Sequence, residues 1–187
     1  YNPVSGTSTD LATSLPYSAT TYPQGVLVDY MHGTHIAGSA FKQIDPLFLS
    51  DTFTGTIGSA AAFNLPAMPT PVAVPGANWA TSEEGWYPEA INSTGVVFAI
   101  NDGTDNFSAA AYRAHGSTAA PTNIALPLSY NTVYFDGVDP VDGGFFVRVV
   151  QNDSNGNWFS GFPGKWSPTG GFVNLQTSNA VSYTHLT

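Results

Sequence analysis

The chain contains no cysteine, which removes disulfides, thiolate catalysis and cysteine-ligated zinc from consideration. It is also poor in charge. Asp, Glu, Lys and Arg make up 9% of its 187 residues, against about 25% in an ordinary soluble domain. Only Lys42, Arg113, Arg148 and Lys165 are basic, and the formal net charge is −9. Such a surface repels phosphate backbones and offers no basic patch to anionic lipid, so nucleic acid is excluded as an expected partner. No apolar run approaches the length that spans a bilayer, and no membrane insertion is expected. The opening residues, YNPVSG, carry neither Met nor a signal-peptide pattern. The expectation is a leader already removed or a start inside a longer reading frame.

Helical periodicity is missing too. Nowhere do apolar residues recur at helical spacing over three turns. Instead, 19 glycines and 14 prolines punctuate short runs of β-branched and aromatic residues. VLVDYM (26–31), TFTGTIG (52–58), GVVFAIND (95–102), NIALPLSY (123–130), NTVYFDGV (131–138) and GGFVNLQTS (170–178) each read as strands. Phe145–Gln151 and Asn157–Phe162, joined by a turn at Asp153–Gly156, make the clearest hairpin. The pattern predicts an all-β, antiparallel β-sandwich or jelly-roll-like domain with at most one or two short helical turns, near Ala37–Ile44 and Ser82–Ile91.

Residues 1–25 are rich in Ser, Thr and Pro and read as an extended N-terminal arm, with a single domain over 26–180. Val181–Thr187, VSYTHLT, matches an in-frame translation of a transposon-end sequencing adaptor. That segment is set aside from the fold, with the expectation of metagenomic origin and a native chain that continues past Ala180.

DYMHGTHIAG, Asp29–Gly38, contains a His-Gly-Thr-His-Ile-Ala-Gly core that resembles the catalytic-histidine segment of subtilisin-like serine proteases. The resemblance implies His32 as general base at the start of a helix, with Gly33 at the close turn. The family's Asp-Ser/Thr-Gly strand end and its Gly-Thr-Ser-Met-Ala nucleophile segment have no counterpart here. His32, His35 and His115 could alternatively form a three-histidine metal site, or serve as turn residues bonded to backbone. Glu83, Glu84 and Glu89 lie near Trp79, Trp86 and Tyr87, a pairing of carboxylates and aromatics that suits a glycosidase or a sugar-binding platform, against which stands a plain solvated loop or short helix, since all of them are neighbours in one segment.

Asp153, Asn155 and Asn157 alternate oxygen donors around Gly156, as at the start of a calcium loop. The twelfth position is Gly164, so an EF-hand is ruled out and a plain hairpin turn competes with calcium. Asp136, Asp139 and Asp142 lie close in sequence without a basic neighbour and need solvent or a cation between them. Trp158, Phe159, Phe162 and Trp166 crowd two short segments. Strand alternation forbids Trp158 and Phe159 from both facing inward, so one is expected to meet a partner, a ligand or a covering loop.

These features lead to an expected extracellular or cell-surface, non-enzymatic structural or adhesive subunit. It would self-associate into a filament, pilus-like, surface-layer or particle assembly by β-strand addition through the arm. The alternative is a carbohydrate-binding β-sandwich module that uses Trp158, Trp166, Trp86 and Tyr87 on polysaccharide, and the third reading is a hydrolase. No cofactor is expected beyond calcium at Asp153, Asn155 and Asn157.

Overall fold

The computed structural model describes residues 20–43, 49–57, 66–72, 77, 85–102, 107–153 and 155–176. Among these the chain is all-β, with eleven strands in three antiparallel sheets. The first sheet holds β1 (Val26–His32), β2 (His35–Gln43) and β3 (Leu49–Thr56). The second holds β4 (Tyr87–Ile91), β5 (Gly95–Asn101), β6 (Ser108–Ala114) and β7 (Thr122–Ile124). The third holds β8 (Thr132–Val138), β9 (Phe145–Asn152), β10 (Trp158–Ser167) and β11 (Gly171–Asn174). Neighbours within each sheet are consecutive in the chain, so short turns suffice to connect them.

The second sheet is buried on both faces, and the sequence of β5 explains why. Val96, Val97, Phe98, Ala99 and Ile100 form an unbroken apolar run whose alternate residues point to opposite sides. Val97, with Ala90, Ala110 and Ile124, packs against Val133, Phe135, Phe145, Val147, Val149 and Trp166 of the third sheet. Val96, Phe98 and Ile100, with Ile91, Ala109 and Ala111, pack toward Ala37 of β2 and toward Trp86 and Met68. A smaller cluster of Tyr22, Ile36, Ala40 and Phe53 lies on the first sheet. The Ser108 hydroxyl fastens the second sheet to the third: it donates to the Val133 carbonyl and accepts from the Val133 N–H, each at 3.0 Å.

Strands β8 and β9 show the half-buried pattern. Val133 and Phe135 face in while Tyr134 and Asp136 face out; Phe145, Val147 and Val149 face in while Phe146 and Arg148 face out. The third sheet therefore has one face in the core and one toward solvent.

Both segments expected as helical turns are extended instead. Residues 37–43 belong to β2 and residues 87–91 to β4, where pairing to neighbouring strands satisfies the backbone. Residues 82–84 lie outside the described residues, as do 1–19 of the arm and the terminal segment 181–187. The last residues of the arm, 20–25, run onto the first sheet. The Tyr22 ring is buried and its hydroxyl donates to Asp51 at 2.8 Å.

Candidate functional site

A groove of about 540 Å³ runs across the outward face of β8, β9 and β10. Tyr134, Arg148, Asn152, Trp158, Pro163 and Gln176 are among its lining residues. Trp158 is 71% exposed at the head of β10. A β-bulge between Trp158 and Ser160 interrupts the alternation there, and Phe159 is also left exposed. Gly161 lets the indole lie close: a Cβ at that position would meet the Val149 carbonyl oxygen at 2.7 Å and the Trp158 Nε1 at 3.0 Å.

The polar groups of the groove are held in place by neighbours. Arg148 donates from Nε and an Nη to the two carboxylate oxygens of Asp136, at 2.8 and 2.9 Å, and lies 4.9 Å over the Tyr134 ring. Asn152 and Asn131 clamp each other. The Asn131 side-chain amide donates to the Asn152 carbonyl at 2.7 Å, and the Asn152 N–H donates to Asn131 Oδ1 at 2.8 Å.

The turn carrying the three calcium candidates supports this groove. Asp153 Oδ1 accepts from the backbone N–H groups of Asn155 and Asn157 at 2.9 and 2.8 Å, and Oδ2 accepts from the Asn157 side chain at 2.9 Å. The Asn157 hydrogen bonds hold the Asp153 carboxyl below the usual range. Both carboxylate oxygens thus shape the loop that presents Trp158, and a cation would have to share them.

The four aromatics read as one platform from sequence are separated in space. Trp166 is buried in the core, with Tyr112, Phe135, Phe145 and Phe172 around it at ring-centroid distances of 5.4 to 6.5 Å. Trp86 is buried as well, and its indole N–H donates to the Pro69 carbonyl at 3.1 Å. Tyr87 lines a different, shallower pocket beside Asp29, Tyr30, Ser39 and Pro88, and its hydroxyl accepts from the Asn101 side chain at 2.7 Å. Burial raises the carboxyls of Asp29 and Glu89 near this pocket, opposed by hydrogen bonds from Ser39 and Tyr87 respectively. Glu83, Glu84 and Trp79 lie outside the described residues.

The histidine segment is a hairpin and not the start of a helix. His32 and His35 are paired opposite each other across β1 and β2 with Gly33-Thr34 as the two-residue turn. Gly33 has φ +60°, a conformation that glycine adopts freely at the first central position of such turns. His35 also stacks on His115, with ring centroids 3.7 Å apart and planes 8° from parallel. A metal binds in the plane of an imidazole, so two rings stacked this way cannot both direct a nitrogen at one ion. Among the described residues no group of three or more His, Asp or Glu is placed to hold a metal.

The stacked pair borders a second cavity of about 170 Å³ with Thr54, Thr56, Arg113 and Ser117. The Nε2–H of His115 donates to the Asn92 carbonyl at 2.8 Å, and Arg113 donates to the Thr54 hydroxyl at 3.1 Å and to the Ser117 carbonyl. Burial pushes the His115 imidazole below its ordinary value, with His35 and His32 adding to the effect and the Asn92 bond opposing it.

Basic neighbours for the aspartates of 136–142 come from distant positions in the sequence. Lys165 Nζ lies 2.5 Å from carboxylate oxygens of both Asp139 and Asp142, and Arg148 takes Asp136. These side chains fill the role that the sequence reading left to solvent or a bridging cation.

Comparison with known proteins adds no identity: no protein-family model, no curated protein and no solved structure matches the chain.

Proposed function

We propose that this chain is a carbohydrate-binding β-sandwich module of an extracellular or cell-surface protein, and that it holds polysaccharide in the groove of β8–β10. The observation that carries this reading is Trp158, a large ring kept exposed by a bulge and seated against the backbone of Gly161. Sugar rings have an apolar C–H face and a rim of hydroxyls. An indole supplies the stacking surface, and Asn152, Gln176 and the Arg148–Asp136 pair supply donors and acceptors beside it. This reading assigns no catalytic step to the chain. The test is pull-down of the purified chain on insoluble polysaccharides. Retention by at least one of them, lost in Trp158→Ala, is expected; retention undiminished in that variant refutes the groove.

A second reading, a structural subunit that assembles by strand addition, is supported by the first sheet. Both β1 and β3 are edges of that sheet, seven and eight residues long, and β1 exposes Leu27, Tyr30 and Met31. Long edges with apolar residues suit pairing with a neighbour's extended arm. Size-exclusion chromatography with negative-stain microscopy separates the two readings, since a monodisperse monomer at high concentration rules out assembly by this chain alone.

A further inference from the structure

Resting on the groove reading above, we infer that the glycan class it accepts is neutral, and that uronic-acid and sulfated polysaccharides are excluded. The chain has four Lys and Arg residues in all, and the structure accounts for each. Arg148, the cation in the groove, is engaged on two nitrogens by both oxygens of Asp136 and covers the Tyr134 ring. Lys165 is held between Asp139 and Asp142. Lys42 pairs with Asp51 on the first sheet. Arg113 is buried, 6% exposed, beside Thr54 and Ser117.

An anionic sugar would thus have to compete with Asp136 for Arg148, in the field of a chain whose formal charge is −9. Its carboxylate or sulfate would gain little from a cation already neutralised and would lose hydration on entering the groove. A neutral sugar meets neither penalty. It can stack on Trp158 and hydrogen-bond to Asn152 and Gln176, groups that carry no charge. The Arg148–Asp136 pair still offers it polar atoms at the rim.

The experiment is native affinity electrophoresis of the full chain in gels containing neutral polysaccharides (hydroxyethylcellulose, arabinoxylan, galactomannan) or acidic ones (polygalacturonate, alginate, a sulfated galactan). Retardation is expected in at least one neutral gel and in none of the acidic gels. In solution, affinity for the neutral polymer should change less than about twofold from ~0.1 to ~1 M salt, over which the screening length falls from about 10 to about 3 Å. Asp136→Asn, which frees Arg148, should gain retardation by acidic polymers at low salt. Retardation of the unaltered chain by acidic polymers, abolished by Trp158→Ala, overturns this inference while keeping the groove. So does strong weakening of neutral binding by salt. No retardation in any gel overturns the groove reading itself, and the neutral preference with it.

Discussion

Two tryptophans on one strand should behave in opposite ways when removed. Trp166 and Trp158 are the two ends of a contrast on β10: one is 7% exposed and the other 71%. Truncating a buried Trp to Ala costs about 3–5 kcal/mol, from lost transfer energy and from the cavity left behind. Trp166 should fall in the upper half of that range. Four rings pack on it, Tyr112 edge-on at 5.4 Å and Phe145 at 5.9 Å among them, and aromatic pairs contribute about 0.5–1.5 kcal/mol each beyond their burial. For a chain of this size each kcal/mol shifts Tm by about 2–4 °C, so Trp166→Ala is expected to melt about 8–20 °C lower. Trp158→Ala should stay within about 0.5 kcal/mol of the parent, as exposed substitutions do. Urea titration followed by far-UV circular dichroism measures both without relying on the fluorophores removed. A domain of ordinary stability, about 5–15 kcal/mol, can lose most of its margin in Trp166→Ala. Trp166→Phe, expected to cost roughly half as much, keeps the comparison readable. Equal losses in the two alanine variants would refute the assignment of one ring to the core and the other to the groove.

Gly161→Ala places a Cβ against the Val149 carbonyl and the Trp158 indole; it should destabilise by about 1–3 kcal/mol and displace the ring, weakening polysaccharide retention in the same pull-down. Asn92 is buried, accepts from the Thr94 N–H, the Thr94 hydroxyl and the Gly95 N–H at 2.8 to 2.9 Å, and donates to the Gly143 carbonyl. Asn92→Ala should therefore cost about 2–4 kcal/mol by urea titration, more than a surface turn residue would. His115 is held below its usual 6.5 in the fold, so the unfolded chain binds the proton first as pH drops. Its contribution is intact above pH 6.5 and is lost as pH falls from there toward the folded value. Asp29 and Glu89, raised by burial, act in the opposite sense at lower pH. The measurement is thus the difference in stability between parent and His115→Gln, which should narrow on acidification below pH 6.5; a constant difference would refute it. Asp153→Ala removes three hydrogen bonds from the turn beneath Trp158 and should weaken retention, and calcium should not restore it.

Much of the fold was legible because strands that face solvent on one side announce themselves by alternation. In β8 and β9 the buried Val133, Phe135, Phe145, Val147 and Val149 alternate with the exposed Tyr134, Asp136, Phe146 and Arg148, although aromatics stand on both faces. The apolar run of β5 read as a strand from its residues, and its burial on both faces came only with the structure. His-Gly-Thr-His admits two readings from sequence, a protease-like helix start and a turn between strands, and the hairpin of β1 and β2 bears out the turn. A Gly-containing pair between two runs of strand-forming residues is itself a hairpin signal, and it would have placed β2 correctly. The ion pairs were beyond reach of sequence. Asp136 and Arg148 are twelve positions apart and Asp139 and Lys165 are twenty-six apart, and only the register of β8, β9 and β10 brings them together.

The groove depends on a feature that composition hides. Counting back in twos along β10 from the buried Trp166 leads through Gly164, Phe162 and Ser160 to Trp158, so unbroken alternation would point Trp158 into the core as well. Phe162 follows the count, packing on the cluster that holds Trp166. The bulge at Phe159 then shifts the register by one residue and turns Trp158 to the outer face. The neighbouring turn supplies what the extra residue needs, because Asp153 ties down Asn155 and Asn157 immediately before it. The bulge thus decides whether this strand carries two core tryptophans or one core ring and one exposed ring, since the same residues paired without it would turn Trp158 inward. Deleting Phe159 leaves Trp158 directly before the inward Ser160 and still opposite Asn152, so the ring should stay on the outer face and polysaccharide retention should survive; loss of retention in that variant would show that the bulge does more than set the side on which the ring lies.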